Sequence, residues 1–129
     1  MNQEWKTATK QADLDSVRSL LKKGVDINSK DEHGQTALMN AAHNGQVDLV
    51  RLLIEQGADL NTTAKYGLSA LMLAIIARQA AIARLLIEAG ADLNLRSTRG
   101  FSNSTALSLT EKGGLEEIAI LLKQKGALA

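Results

Sequence analysis

Two histidines, His33 and His43, are the side chains of this 129-residue sequence best suited to proton transfer or metal binding at neutral pH. They stand ten residues apart on what read as different elements, which is no metal-ligand spacing. Ser16, Ser69 and Ser104 lie near neither histidine in any nucleophile motif, and no G-x-S-x-G, H-E-x-x-H or phosphate loop occurs. Asp13 with Asp15, and Glu116 with Glu117, are paired carboxylates. First-turn acids that complement a helix N-terminus account for both pairs more simply than acid/base catalysis does. With no cysteine, disulfides, thiolate catalysis and cysteine zinc sites are excluded and the redox compartment is left open. The chain therefore reads as no enzyme, with no metal and no cofactor.

The elements that would position these side chains are periodic. Gly24, Gly57 and Gly90 are spaced by 33 residues, each behind a leucine-rich stretch. Leu52 to Asn61 (LLIEQGADLN) returns as Leu85 to Asn94 (LLIEAGADLN), and more loosely as Ser19 to Asn28 (SLLKKGVDIN). A second block, Gln35-Thr36-Ala37-Leu38-Met39, returns as Leu68-Ser69-Ala70-Leu71-Met72. Its third copy, Ser104-Thr105-Ala106-Leu107-Ser108, arrives three residues late, as does Gly126. One insertion between Gly100 and Thr105 explains both delays. A period of this size means a supersecondary unit that buries its apolar face only by stacking on copies of itself.

Within a unit, the tract from Ser29 to Gly34 is polar and turn-rich and reads as a projecting hairpin loop. Thr36 then caps a short helix buried through Leu38, Ala41 and Ala42, and Gly45 closes it. A second helix runs from about Gln46 to Gln56, with Val50, Leu53 and Ile54 at helical spacing, and Gly57 ends it.

These blocks resemble the ankyrin repeat, whose pattern contains D-x-x-G-x-T-P-L-H-x-A-A-x-x-G and ends in L-L-x-x-G-A-D-V-N. Asp31, Gly34, Thr36, Leu38, Ala41, Ala42, Gly45, Leu53, Gly57, Asp59 and Asn61 fall in place. The resemblance implies an all-α solenoid, one domain over 1–129, of helix-turn-helix units joined by β-hairpin loops, with repeats at about 1–30, 31–63, 64–96 and 97–129. Prolines are absent, with Ala37, Ala70 and Ala106 in their place. The motif histidine is replaced by Met39, Met72 and Ser108, which removes the inter-repeat hydrogen bond it normally makes. Arg78 for glycine and Ile75 for alanine suggest a third repeat packed differently from its neighbour. Trp5 in place of Leu38 reads as a cover for the open end of the first repeat.

The resemblance also implies protein binding along the concave side, through hairpin tips and the exposed flank of each first helix. Carried over residue by residue, that surface is Lys30, Glu32, His33, Gln35, His43 and Asn44, then Lys65, Tyr66, Leu68, Ile76 and Ala77, then Arg96, Arg99, Phe101 and Lys112. Tyr66 and Phe101 are two of the three aromatic residues of the chain and fall on projecting turns, where aromatic side chains make good hot spots. The expected activity is non-catalytic protein binding, as an adaptor or a regulatory element. The alternative is an inhibitor or immunity protein that blocks a partner enzyme's active site.

Composition agrees with a helical stack built from small aliphatic side chains: 45% of residues are apolar and only 2% aromatic. The net charge of +1 gives no reason to expect nucleic-acid or membrane partners, and the charge-free run from Tyr66 to Ala77 is too short to span a bilayer. The first residues have no apolar signal core, which favours the cytoplasm, or the periplasm or exterior if a leader was removed. A monomer is expected.

Overall fold

The computed structural model describes residues 1–98 and 103–128. Eight α-helices are found among them: α1 (Gln3–Lys10), α2 (Leu14–Lys22), α3 (Ala37–Asn44), α4 (Val47–Glu55), α5 (Ala70–Ile76), α6 (Ala80–Glu88), α7 (Ala106–Gly113) and α8 (Glu116–Gln124). Odd and even helices pair within each repeat. Along the stack α1, α3, α5 and α7 pack in sequence order, and α4, α6 and α8 form the second layer. The chain is an all-α repeat solenoid.

Each first helix starts at a side-chain cap. Asn2, Thr36, Ser69 and Thr105 accept the N–H three residues on, from Trp5, Met39, Met72 and Ser108 respectively. Ser108 Oγ also accepts the Thr105 N–H at 2.9 Å, closing a reciprocal box. The second helices end in the double bond of a Schellman motif. At Gly57, for example, the Gly57 N–H donates to Ile54 O at 3.1 Å and the Ala58 N–H to Leu53 O at 3.0 Å. That geometry needs a left-handed residue, and Gly57 supplies it at φ 85°.

A second left-handed position recurs at the end of each first helix, and glycine does not always occupy it. Ala12, Gly45, Arg78 and Gly114 have φ of 52°, 74°, 60° and 74°. The expected repacking of the third repeat around Arg78 is thus absent in the backbone there: Arg78 adopts the conformation of Gly45, and its guanidinium donates to Gly113 O of the next repeat. Ile75, in place of an alanine, is buried in the shared core.

Among the described residues the connecting segments form turns rather than strands. Backbone bonds span them: Asp31 N–H to Gln35 O at 2.9 Å, Ala64 N–H to Leu68 O at 2.8 Å, and Ser97 N–H to Ser104 O at 2.9 Å, with Gly34 N–H to Asp31 O at 2.9 Å and Gly67 N–H to Ala64 O at 3.1 Å inside the first two. An isolated bridge joins Thr63 and Ser69, and no strand forms among the described residues. The third turn spans three residues more than the other two, which locates the insertion read from the delayed motif. Trp5 is fully buried, as are Leu38, Leu53, Leu71, Leu86 and Leu122, so one core runs through the stack.

Polar side chains also join consecutive repeats. Asn28 Oδ1 accepts the Asp59 N–H at 2.8 Å, Asn61 Oδ1 the Asp92 N–H at 2.7 Å, and Asn94 Oδ1 the Leu128 N–H at 2.8 Å. Each asparagine is aimed by a preceding aspartate, such as Asp59 Oδ1 accepting the Asn61 N–H at 2.8 Å. Every repeat is thereby tied to the next by a polar rung as well as by apolar packing.

Candidate functional site

The exposed flank of the first helices and the turns ahead of them share one face, because the 33-residue period returns each position to the same place one layer on. His43, Ile76 and Lys112 occupy one such position on α3, α5 and α7, and the same spacing brings Lys10 on α1 into the row. Lys10 was missed in the sequence reading, although the period alone points to it.

Between the first two repeats this face is a polar groove of about 310 Å³ lined by Lys6, Thr9, Asp31, His33, Asn40 and Asn44, among others. Lys6 Nζ meets Glu32 Oε1 at 2.7 Å and Oε2 at 2.9 Å, a two-oxygen contact between α1 and the second turn. That contact holds the Glu32 carboxyl below its usual pKa. Asp31 organises the turn: its Oδ1 accepts the His33 N–H at 2.9 Å and the Gln35 N–H at 3.0 Å, and its Oδ2 the Asn40 side-chain amide at 3.1 Å. Partial burial pushes the Asp31 pKa up. The bonds from Gln35, Asn40 and His33 outweigh it, and the net shift is downward. His33 lies 3.7 Å from Glu32 and is mostly exposed, and His43 Nδ1 sits 3.5 Å from Asn44 Oδ1.

At the third repeat the face turns apolar. Tyr66 is 46% exposed and Ile76 38% exposed, with Ala77 half-buried beside Ile76. Tyr66 has φ 64°, a left-handed conformation unusual for a bulky residue. The neighbouring segment holds it there: the Thr98 N–H donates to Tyr66 O at 2.6 Å. Glycine suits position 67, which has φ 70° and where a Cβ would crowd Arg96 O at 3.0 Å. Arg96 itself donates to Asn103 O at 3.2 Å.

Of the residues carried onto this surface, Lys30, Glu32, His33, His43, Asn44, Lys65, Tyr66, Ile76, Arg96 and Lys112 are exposed, and Gln35 and Ala77 half-buried. Leu68 is a correction. At 7% exposure it belongs to the core, since its carbonyl closes the turn onto Ala64 and its side chain is drawn inward. Arg99 and Phe101 lie outside the described residues. Asp13, read as a helix-start acid, is the N-cap of α2 and accepts the Ser16 N–H at 3.2 Å. No group of three or more His, Asp or Glu side chains placed to hold a metal ion occurs among the described residues, and no described helix is long and apolar enough to cross a membrane.

A family model for ankyrin repeats (3 copies) matches residues 6–97. With the helix pairs and left-handed turns described above, the match places the chain in the ankyrin-repeat family. No curated protein matches the sequence significantly. Ankyrin repeats are generally non-catalytic protein–protein interaction modules.

Proposed function

We propose that this chain is a non-catalytic docking module that binds another protein along the exposed flank of α3, α5 and α7 and the turns preceding them. One observation carries the reading: Tyr66 in the third turn and Ile76 at the end of α5 are both more than a third exposed, and Tyr66 is kept in a conformation its side chain disfavours. Strain of this kind costs on the order of 1–3 kcal/mol and collects at ligand-binding positions. The stack holds the face rigidly, so docking orders little of it. An inhibitory role is one use of the same surface; the feature that motivated it, Phe101, lies outside the described residues.

The test is affinity capture with the intact chain from its native extract, repeated with Tyr66→Ala, Ile76→Ser and, as a control on the other layer, Arg84→Ala. Loss of the same captured protein with the first two and its retention with the third is expected. Retention with all three would refute the docking face.

A further inference from the structure

The first repeat is seated more loosely than the second and third. Its second helix, α2, buries Val17 and Leu20, whereas α4 buries Leu49, Val50, Leu52 and Leu53, and α6 buries Ile82, Ala83, Leu86 and Ile87. In the second layer α4 packs on α6 and α6 on α8, but α2 packs on α1 and has no comparable seat on α4. A hollow of about 250 Å³ lies there, lined by Arg18, Leu21 and Lys22 of α2 and by Gln56 at the end of α4. The opposite side of the repeat is largely polar, with Gln3, Glu4, Thr7, Gln11 and Ser16 around a second hollow.

The first repeat is joined to the second mainly through α1, which packs on α3 and carries the fully buried Trp5. Three exposed polar contacts add to this seat. Lys6 Nζ meets Glu32 Oε1 at 2.7 Å, Gln46 Nε2 donates to Lys10 O at 3.1 Å, and the Asp59 N–H donates to Asn28 Oδ1 at 2.8 Å. Exposed contacts of these kinds contribute little singly. The link between α1 and α2 is also strained: Ala12 holds a Cβ at φ 52°, where the second and fourth repeats have Gly45 and Gly114.

We propose that α1 and α2 open together as one unit at a lower free energy than the rest of the stack, which makes the first repeat a detachable clamp on α3. In a linear stack each repeat is held by its own stability and by its nearest neighbours, and the unit with the weakest sum opens first. Opening takes Lys6, Thr9 and Lys10 away from Asp31, His33 and Asn40, so the polar groove between the first two repeats exists only in the closed state. Anything that occupies the groove therefore holds the clamp shut by mass action.

The test uses the full chain and its single tryptophan, Trp5, whose fluorescence reports on the first repeat while circular dichroism reports on every helix. In urea the Trp5 signal is expected to change before the main loss of helix. Native-state hydrogen exchange should show the amides of α1 and α2 at least about tenfold less protected than those of α5 and α6. Leu20→Ala is expected to lower protection in α1 and α2 by at least about a further tenfold and to leave α5 and α6 unchanged. Leu86→Ala should lower it in α5 and α6. Ala12→Gly, a mild change in the link, should raise protection in α1 and α2 about twofold. Coincident fluorescence and dichroism transitions, equal protection in these helices, or a Leu20→Ala loss spread equally over α5 and α6 would overturn the proposal.

Discussion

The left-handed position shared by Ala12, Gly45, Arg78 and Gly114 gives a stability test whose sign differs from repeat to repeat. A Cβ in this conformation costs about 1–2 kcal/mol, and replacing glycine recovers about 0.4–1 kcal/mol by restricting the unfolded chain. Gly45→Ala should therefore cost about 1 kcal/mol net. The added Cβ would also stand 2.9 Å from Gln79 Nε2, the end of a flexible side chain that can swing aside. Ala12→Gly runs the same balance backwards. After subtracting the packing of a half-buried methyl, a gain of about 0.5 kcal/mol is expected. Arg78→Gly gains the same relief but gives up the donor to Gly113 O and should come out near zero. In a chain of this size a change of 1 kcal/mol moves the melting midpoint by roughly 3–5 °C, readily resolved by helical circular dichroism. A loss on Ala12→Gly equal to that on Gly45→Ala would refute the reasoning, because it would mean that Ala12 is not held left-handed.

Other outcomes test separate parts of the stack. Asn61→Ala removes the acceptor of the Asp92 N–H, and because that rung is exposed a loss of only about 0.5–1 kcal/mol is expected in urea unfolding; no change would show that the rung contributes nothing. Trp5→Ala should cost about 3–5 kcal/mol as a fully buried aromatic, and a midpoint close to wild type would place Trp5 outside the core. Tyr66→Ala should leave the free protein within about 0.5 kcal/mol of wild type, the usual range for a surface change, whereas a loss like that at Trp5 would make Tyr66 structural. The Asp31 pKa is lowered on folding, so its contribution is present above the unfolded value and is lost as pH falls through the folded one. Stability should decline below about pH 4, and less steeply in Asp31→Asn; parallel curves would contradict the turn network.

Much of this architecture is legible in the sequence because each unit repeats its own instructions. The Thr36 cap, the Gly57 terminus and the extra residues between Ser97 and Ser104 are local, and local chemistry decides them. What depends on the next layer was harder to see. Asn28, Asn61 and Asn94 recur at the period, yet their partners are N–H groups more than thirty residues on in the following repeat. Ala12 and Arg78 conceal a left-handed backbone behind residue types that normally avoid it, and only alignment with Gly45 betrays them. Leu68 was misplaced because family position stood in for burial, and the turn onto Ala64 draws it inward.

The central claim is that the row of first helices, with its turns, receives the partner. Amide chemical-shift mapping of the isotopically labelled chain, titrated with its captured partner, tests this directly. Shifts concentrated at Tyr66, Ile76, Ala77, His43 and Lys112 are expected; shifts confined to α2, α4, α6 and α8 would contradict it.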